Sequence, residues 1–125
     1  MKKLKKRTNR AAARYLELRG MRLLDRDWKR DGLAGKLDLV AEDCGTLVFA
    51  TVSVADLDSD AGFREEPLSR EQYELLAATW LKERADGMGT DMPIRFDRLS
   101  LMVLGDDHAI VRHYMNVLGA PFGSV

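Results

Sequence analysis

The sequence has one cysteine and no long apolar run, and these shortages exclude several classes of protein. Cys44 alone cannot form an internal disulfide or a thiolate metal cluster. No apolar stretch approaches the ~20 residues that a membrane-spanning helix needs. The basic start is not followed by the apolar segment of a signal peptide, because Arg14, Glu17 and Arg19 interrupt it. We therefore expect a soluble protein of the reducing cytoplasm that does not enter a membrane.

The chain also lacks net charge, since 20 basic side chains balance 20 acidic ones. As a whole it exerts no strong field on a polyanion such as nucleic acid. The charges are unevenly placed, with acids concentrated in residues 56–66 and bases in the first ten positions. A solvated terminus is the simpler interpretation of this basic segment, and an arm on nucleic-acid phosphates is the alternative. The segment consists of Lys2, Lys3, Lys5, Lys6, Arg7 and Arg10.

Hydrophobic periodicity predicts a helix and three strands in the first half of the chain. Residues 9–19 present an apolar helical face, and Gly20 is a typical residue to end a helix. Residues 43–45, Asp-Cys-Gly, are typical of a turn and predict a hairpin between the second and third strands. The third strand is rich in β-branched residues, which suits burial on both faces. The three strands are predicted at residues 21–28, 37–42 and 46–54.

The second half of the chain begins with a polar, acidic break over residues 56–67. Ser69 then has Gln72 three residues later, the spacing of a capping box, and predicts a helix that runs to about residue 85. Two further strands follow, at residues 94–104 and 109–114.

This order of elements predicts an α/β domain with a mixed sheet. The short turn after the second strand requires an antiparallel pair. The helix between the third and fourth strands allows a right-handed parallel crossover. We expect about five strands flanked by helices, in the order α-β-β-β-α-β-β.

Several short motifs occur in order along the chain. Residues 12–16 are Ala-Ala-Arg-Tyr-Leu, 27–29 Asp-Trp-Lys, 35–41 Gly-Lys-Leu-Asp-Leu-Val-Ala, 47–53 Leu-Val-Phe-Ala-Thr-Val-Ser and 95–97 Arg-Phe-Asp, with His113 and Asn116 after them. From about residue 8 to 118, this set resembles the YraN family of uncharacterised bacterial proteins. That family belongs to the restriction-endonuclease-like superfamily, so the resemblance implies that fold.

The resemblance also shows where this chain departs from the family pattern. Residues 27–29 stand where the family usually has Asn-Trp-Arg, and residues 35–41 resemble its Gly-Glu-Ile-Asp-Leu-Ile-Ala. Residues 47–53 correspond to the family's Leu-Val-Phe-Val-Glu-Val-Lys. The Arg-Phe-Asp of residues 95–97 and the closing His and Asn are kept.

For function, the resemblance implies a nuclease site that this chain has largely lost. In the superfamily, an Asp, a Glu on the next strand and often a helix-one Glu hold Mg²⁺ through oxygen, and a Lys helps to activate the attacking water. We therefore predict no catalytic residue, no metal and no cofactor at this site, and we expect Lys36 to pair with Asp38. The corresponding positions in this chain are Asn9, Lys36, Asp38, Thr51 and Ser53. Only Asp38 keeps the family residue.

Other chemistry-bearing side chains have simpler structural interpretations. Trp28 and Trp80 can stack on nucleic-acid bases, but each falls on a predicted apolar face, which favours core packing. Arg95 and Asp97 flank Phe96 on a strand and therefore point to the same side. A structural ion pair is the favoured interpretation for these two.

Three functions stay open. The first is a non-catalytic nuclease-fold protein, a nucleic-acid-associated or adaptor domain that binds DNA or branched nucleic acid weakly. The second is a metal-dependent nuclease with a site rebuilt around Asp38 and a second-helix glutamate, Glu71 or Glu74. The third is a protein-interaction module that forms homodimers. The predicted division is a basic arm at 1–8, the domain at 9–118 and a tail at 119–125.

Overall fold

Seven elements follow one another in the order expected from the sequence. The computed structural model describes residues 2–56, 68–84, 92–104 and 108–117. The predicted break and the predicted tail lie outside the described residues, apart from the end of the third strand. The elements are α1 (Lys2–Leu18), β1 (Arg22–Trp28), β2 (Leu37–Asp43), β3 (Thr46–Asp56), α2 (Arg70–Glu83), β4 (Ile94–Val103) and β5 (Ala109–Tyr114).

The five strands form one mixed sheet in the order β1-β2-β3-β4-β5. Only the β3–β4 pair is parallel, and α2 supplies the crossover between them. The other pairs are antiparallel. The α/β class and the predicted order are thus confirmed.

The β2–β3 hairpin closes with a two-residue turn. Asp43 pairs with Thr46, and Cys44 and Gly45 between them have φ of 48° and 88°. Positive φ at both central residues is the backbone of the primed turn whose twist matches that of antiparallel strands. The predicted hairpin is therefore confirmed, with Cys44 exposed at its tip.

Helix α1 begins at Lys2, whereas hydrophobic periodicity predicts a start at residue 9. The basic segment is rich in lysine and arginine, which are good helix formers, and contains no glycine or proline. The backbone predicted as an arm is therefore continuous with the helix. At the other end Gly20, with φ of 90°, takes the left-handed conformation that ends many helices.

Two hydrophobic clusters cover the two faces of the sheet. Alternate residues of β3 enter different clusters, since successive side chains of a strand point to opposite faces. The strand is therefore buried on both sides, as predicted. One cluster joins α1 to the sheet through Ala12, Ala13, Leu16, Leu39, Ala41, Val48, Ala50, Val52, Leu99 and Leu101. The other joins α2 to the sheet through Trp28, Leu37, Val40, Leu47, Phe49, Leu76, Ala77 and Trp80.

Helix α2 is fixed by its cap and by one tryptophan. Ser69 accepts from the backbone N–H of Gln72, whose side chain accepts from the backbone N–H of Ser69, so the predicted capping box is confirmed. Trp80 is fully buried, and its Nε1 donates to Asp25 Oδ2 at 3.0 Å. Trp28 is buried too, which confirms core packing for both tryptophans. Neither helix of the described chain has the length and apolarity to cross a membrane.

Candidate functional site

Three of the residues singled out by the family resemblance, Asn9, Lys36 and Asp38, meet at one end of β1 and β2. Trp28 pairs with Leu37, which brings Asp27 and Lys36 together at the outer end of the β1–β2 ladder. In the next ladder Leu39 pairs with Ala50, so Asp38 lies beside the strand segment that contains Thr51. Sheet register therefore gathers polar side chains that are far apart in the sequence.

Asp38 is a buried carboxylate whose two oxygens have different neighbours. Its Oδ2 accepts from the backbone N–H of Val52 at 2.8 Å. Its Oδ1 lies 3.8 Å from Lys36 Nζ, which confirms the predicted pairing. Only about a tenth of the side chain, 11%, is exposed. The carboxylate thus has a backbone donor on one side and a cation on the other.

The closest ion-pair partner of Lys36 among the described residues is Asp27, which is part of a family motif but is not one of the predicted site residues. Lys36 Nζ lies 2.7 Å from Asp27 Oδ1. Asp27 has φ of 49°, a left-handed conformation that aspartate tolerates better than most residues. The signal that could have found this contact is the departure from the family pattern, since Asp27 stands in the place of Asn and Lys36 in the place of Glu.

Asn9 connects α1 to the same carboxylate. Its Nδ2 donates to Asp27 Oδ1 at 2.8 Å, and the residue is only 3% exposed. This bond fixes the orientation of the amide, because the opposite orientation would place two acceptor oxygens against each other. Asn9 Oδ1 is buried and has no hydrogen-bond partner among the residues that the structure describes.

Thr51 and Ser53 lie further along β3. They alternate with Ala50 and Val52, which pack toward α1, and therefore face the other side of the sheet. Ser53 Oγ is 3.3 Å from Ser100 Oγ on β4. The structure thus links Asn9 to Lys36 through Asp27 and links Lys36 to Asp38, whereas Ser53 contacts a neighbouring strand.

This set of residues does not fit a divalent metal. Such an ion needs several oxygen ligands, but the two carboxylates here share a lysine ammonium. A cation at that place would meet the positive charge of Lys36 at short range. Within residues 2–56, 68–84, 92–104 and 108–117, no three His, Cys, Asp or Glu side chains group to hold a metal.

The two glutamates considered for a rebuilt site lie on the surface of α2. Glu71 and Glu74 are both exposed. Glu74 Oε1 accepts from Arg70 Nε at 2.9 Å, an ion pair one helical turn apart. Glu74 also lines a cleft of about 380 Å³ with Ile94 and Phe96.

A basic cleft lies between α1 and β1. It has a volume of about 600 Å³ and is lined by Arg10 and Arg14 of α1 and Arg26 of β1. All three arginines are exposed, and none has an ion-pair partner within the described part of the chain. Glu17 and Asp25 line the same cleft and reduce its positive charge.

A second polar cluster surrounds Asp97 on β4, whose side chain is fully buried. Its Oδ1 accepts from Arg95 Nε and from the backbone N–H of Asn116, both at 2.9 Å. Its Oδ2 is 2.8 Å from His113 Nε2, and His113 Nδ1 is 3.4 Å from the hydroxyl of Tyr15 on α1. The predicted Arg95–Asp97 ion pair is confirmed. The other two partners of Asp97, His113 and Asn116, are residues at which the sequence resembles the family.

The charge state of Asp97 follows from these contacts. Burial opposes ionisation, but hydrogen bonds from Arg95, from the Asn116 N–H and from His113 outweigh it and hold the pKa of Asp97 below its ordinary value. The same contact with Asp97 raises the pKa of Arg95, and Asp43 adds a bond at 3.1 Å. Asp97 is thus an ionised carboxylate inside the sheet, held by groups from β4, β5 and the residues after β5.

Comparison with known proteins gives a family but no activity. The family described as "Uncharacterised protein family UPF0102" matches residues 8–101. A "UPF0102 protein" of Geobacter sulfurreducens is 33% identical over 110 residues, which cover 84% of this chain and 80% of that protein. Another, from Stutzerimonas stutzeri, is 34% identical over 94 residues, with 75% and 77% covered. A third, from Pelotomaculum thermopropionicum, is 36% identical over 95 residues, with 74% of each covered.

Proposed function

The chain belongs to the uncharacterised family UPF0102, which agrees with the family resemblance of its motifs. We propose that it is a non-catalytic nuclease-fold protein that binds the backbone of DNA or branched nucleic acid. The binding surface is the basic face of α1 together with the cleft between α1 and β1. The observation that carries this proposal is the continuity of α1 from Lys2 to Leu18.

Because α1 is continuous, its basic residues follow helical geometry. Positions 3, 7, 10 and 14 are all basic and recur at intervals of four and three, the spacing of one helical face. Ala12 and Leu16, fully buried against the sheet, mark a different face. Position 3 to position 14 spans about 16 Å along the axis, enough to reach several phosphates.

Arg26 adds a cation from β1, on the other wall of the cleft. Arginine suits phosphate, since its planar guanidinium can donate two parallel hydrogen bonds. Contacts of this kind position a protein on the backbone and carry no sequence information. Glu17 and Asp25 in the same cleft keep the affinity low, so we expect weak and sequence-independent binding.

The absence of catalysis in this proposal rests on the contacts of Asp38. A nuclease of this kind needs its carboxylates free to bind Mg²⁺. Asp38 is instead bonded to the Val52 N–H and lies next to the Lys36 ammonium. The domain would therefore hold nucleic acid without cutting it.

The test is fluorescence anisotropy at low salt with two unrelated duplexes and one branched DNA. The double variant Arg10→Gln/Arg14→Gln should lose several-fold in affinity and reduce the salt slope by roughly 0.9 for each lost phosphate contact. The matched control, Lys82→Gln/Arg112→Gln, removes the same charge from exposed positions on α2 and β5 and should bind as the natural chain does. Equal binding by both double variants would contradict the proposal.

The interaction module remains the alternative function, and one observation favours it. β5 is an edge strand of the sheet, and Ile110 and Tyr114 on it are 49% and 37% exposed. Exposed apolar side chains on an edge strand are typical of surfaces that pair with another chain. If no nucleic acid binds even at low salt while light scattering shows a dimer that Ile110→Lys dissociates, this function replaces the first.

A further inference from the structure

The sheet has two edge strands, and they differ in how well they resist the addition of another strand. The register of β1 with β2 shifts between Leu23 and Asp25, and four of the seven residues of β1 are charged. Bulges and charges are devices by which proteins block pairing at a sheet edge. β5 pairs with β4 in an unbroken register and contains no proline, lysine or acidic residue. Within the described chain, β5 is therefore the edge that another strand can extend.

Alternate residues of β5 form its exposed face. Val111 and His113 pack on the side of the sheet that α1 covers. Ile110, Arg112 and Tyr114 point to the opposite side, since successive side chains of a strand alternate, and all three are exposed. Helix α2 lies on that side but leaves them uncovered. The exposed face of β5 is thus an arginine between two apolar residues.

This face of the sheet is also positively charged. Neither Arg112 nor Arg98 of β4 has an ion-pair partner in the part of the chain that the structure describes. Arg98 pairs with Tyr114 in the ladder, and its guanidinium lies 4.7 Å from the centre of that ring. The two arginines are diagonal neighbours, because Ser100 pairs with Arg112. No acid is among the β4 and β5 residues of this face, which are Ile94, Phe96, Arg98, Ser100, Met102, Ile110, Arg112 and Tyr114.

A second copy of the chain does not match this edge. The antiparallel register that sets Ile110 of one copy against Tyr114 of the other also sets Arg112 directly against the same residue of the second copy. Like charges directly opposite each other on neighbouring strands are destabilising. A register shifted by two residues avoids that contact but sets Arg112 against an apolar side chain. Charge complementarity therefore favours a strand of another protein over a second copy.

We propose that β5 binds an extended segment of another protein that has an acidic residue between two apolar residues at alternate positions. The acid pairs with Arg112, the apolar residues lie opposite Ile110 and Tyr114, and main-chain hydrogen bonds to β5 provide affinity. The exposed pattern reads the same in both directions, so parallel and antiparallel segments both fit. This proposal goes beyond nucleic-acid binding at α1 and gives a partner class to the edge strand of the alternative function.

The test uses two peptides with blocked ends. The first is Ser-Val-Thr-Glu-Thr-Val-Ser, and the second has Lys in place of Glu. Each is titrated into the isotopically labelled full chain and followed by amide NMR signals and hydrogen exchange. The acidic peptide should shift the β5 signals and slow their exchange, and the lysine peptide should bind roughly fivefold or more weakly, because it sets like charges opposite each other.

A charge swap separates this site from general electrostatic attraction. Arg112→Glu should reverse the preference, so that the lysine peptide binds better than the acidic one. The matched control, Lys82→Glu, reverses an exposed charge on α2 and should keep the preference of the natural chain. Arg112→Gln, which should bind both peptides alike, serves if the glutamate variant does not fold. Arg112 lies outside α1, so these results do not depend on nucleic-acid binding.

Four results would overturn the proposal. The natural chain could bind neither peptide at millimolar concentration, or bind both equally. The shifted and protected amides could belong to β1, the other edge, and not to β5. The chain could also dimerise without peptide, with the dimer itself protecting the β5 amides, which would give this edge to a second copy.

Discussion

Two aspartates of this domain are both neutralised by cations, but Asp38 lies at an open end of the sheet and Asp97 lies inside it. The cation of Asp38 is Lys36, whose side chain is 36% exposed, and the bridging Asp27 is 43% exposed. Asp97 is fully buried, and its partners Arg95 and His113 are 16% and 6% exposed. Solvent screens the first group and hardly reaches the second.

This contrast in burial indicates that the Asp97 cluster contributes more to the stability of the fold than the Asp38 cluster does. Donors from β4, from β5 and from the residues after β5 converge on Asp97, so its loss would take the shared buried acceptor from Arg95 and His113. At the Asp38 end, Lys36 and Asp27 are partly exposed, so solvent offsets more of the loss when one of their charges is removed. Changes at Asp97 should therefore cost more stability than changes at Asp27.

The largest effect is expected for Asp97→Ala. This change leaves Arg95 and His113 without their shared carboxylate and should lower the free energy of unfolding by about 3–5 kcal/mol. Urea unfolding measures the loss, and Asp31→Ala, at an exposed loop position, is the matched control with an effect near zero. A cost below about 1 kcal/mol would mean that the network adds little to the fold.

The next largest effect is expected on the stability of the fold at acidic pH. Because its contacts hold the pKa of Asp97 below its unfolded value, Asp97 stabilises the fold fully above the ordinary aspartate pKa of about 3.9. This contribution is lost as the pH falls through the lower pKa of the folded state. The urea midpoint of the natural chain should therefore fall below about pH 4 more steeply than that of Asp97→Asn. Parallel curves for the two proteins would show that another carboxyl group governs acid unfolding.

The smallest effect is expected for Asp27→Asn. Its ion pair with Lys36 is half exposed, so the change should cost about 0.2–1 kcal/mol. The new amide oxygen can still accept from Asn9, which limits the loss. A cost equal to that of Asp97→Ala, measured by the same urea titration, would remove the distinction between the two regions.

Most of the fold could be predicted because it depends on local patterns. The capping box of Ser69 and Gln72, the turn at Cys44 and Gly45, and the burial of β3 each follow from residues close in the chain. The start of α1 was the exception. A run of lysines is compatible with either a solvated arm or a helix, and only the structure shows that the helix reaches Lys2.

The candidate site could be predicted only in part. The resemblance placed Asn9, Lys36 and Asp38 near one another, and the Lys36–Asp38 contact follows from strand geometry. Asp27 was missed because nothing local links a residue at the end of β1 to one before β2. Its contact with Asn9 joins residues 18 apart, and its contact with Lys36 joins residues 9 apart across the ladder.

The elements, their order and the α/β class follow from the sequence alone, since apolar periodicity, caps and turns act within a few residues. The family resemblance predicts that the acidic residues of a metal site are largely replaced, and this stays a prediction. Which charges come into contact depends on the packing of the elements. Tyr15 reaches His113 across 98 residues, and Asn9 reaches Asp27 from another element. Such contacts depend on how helix and strands pack, and packing fixes the partner, burial and charge state of each side chain.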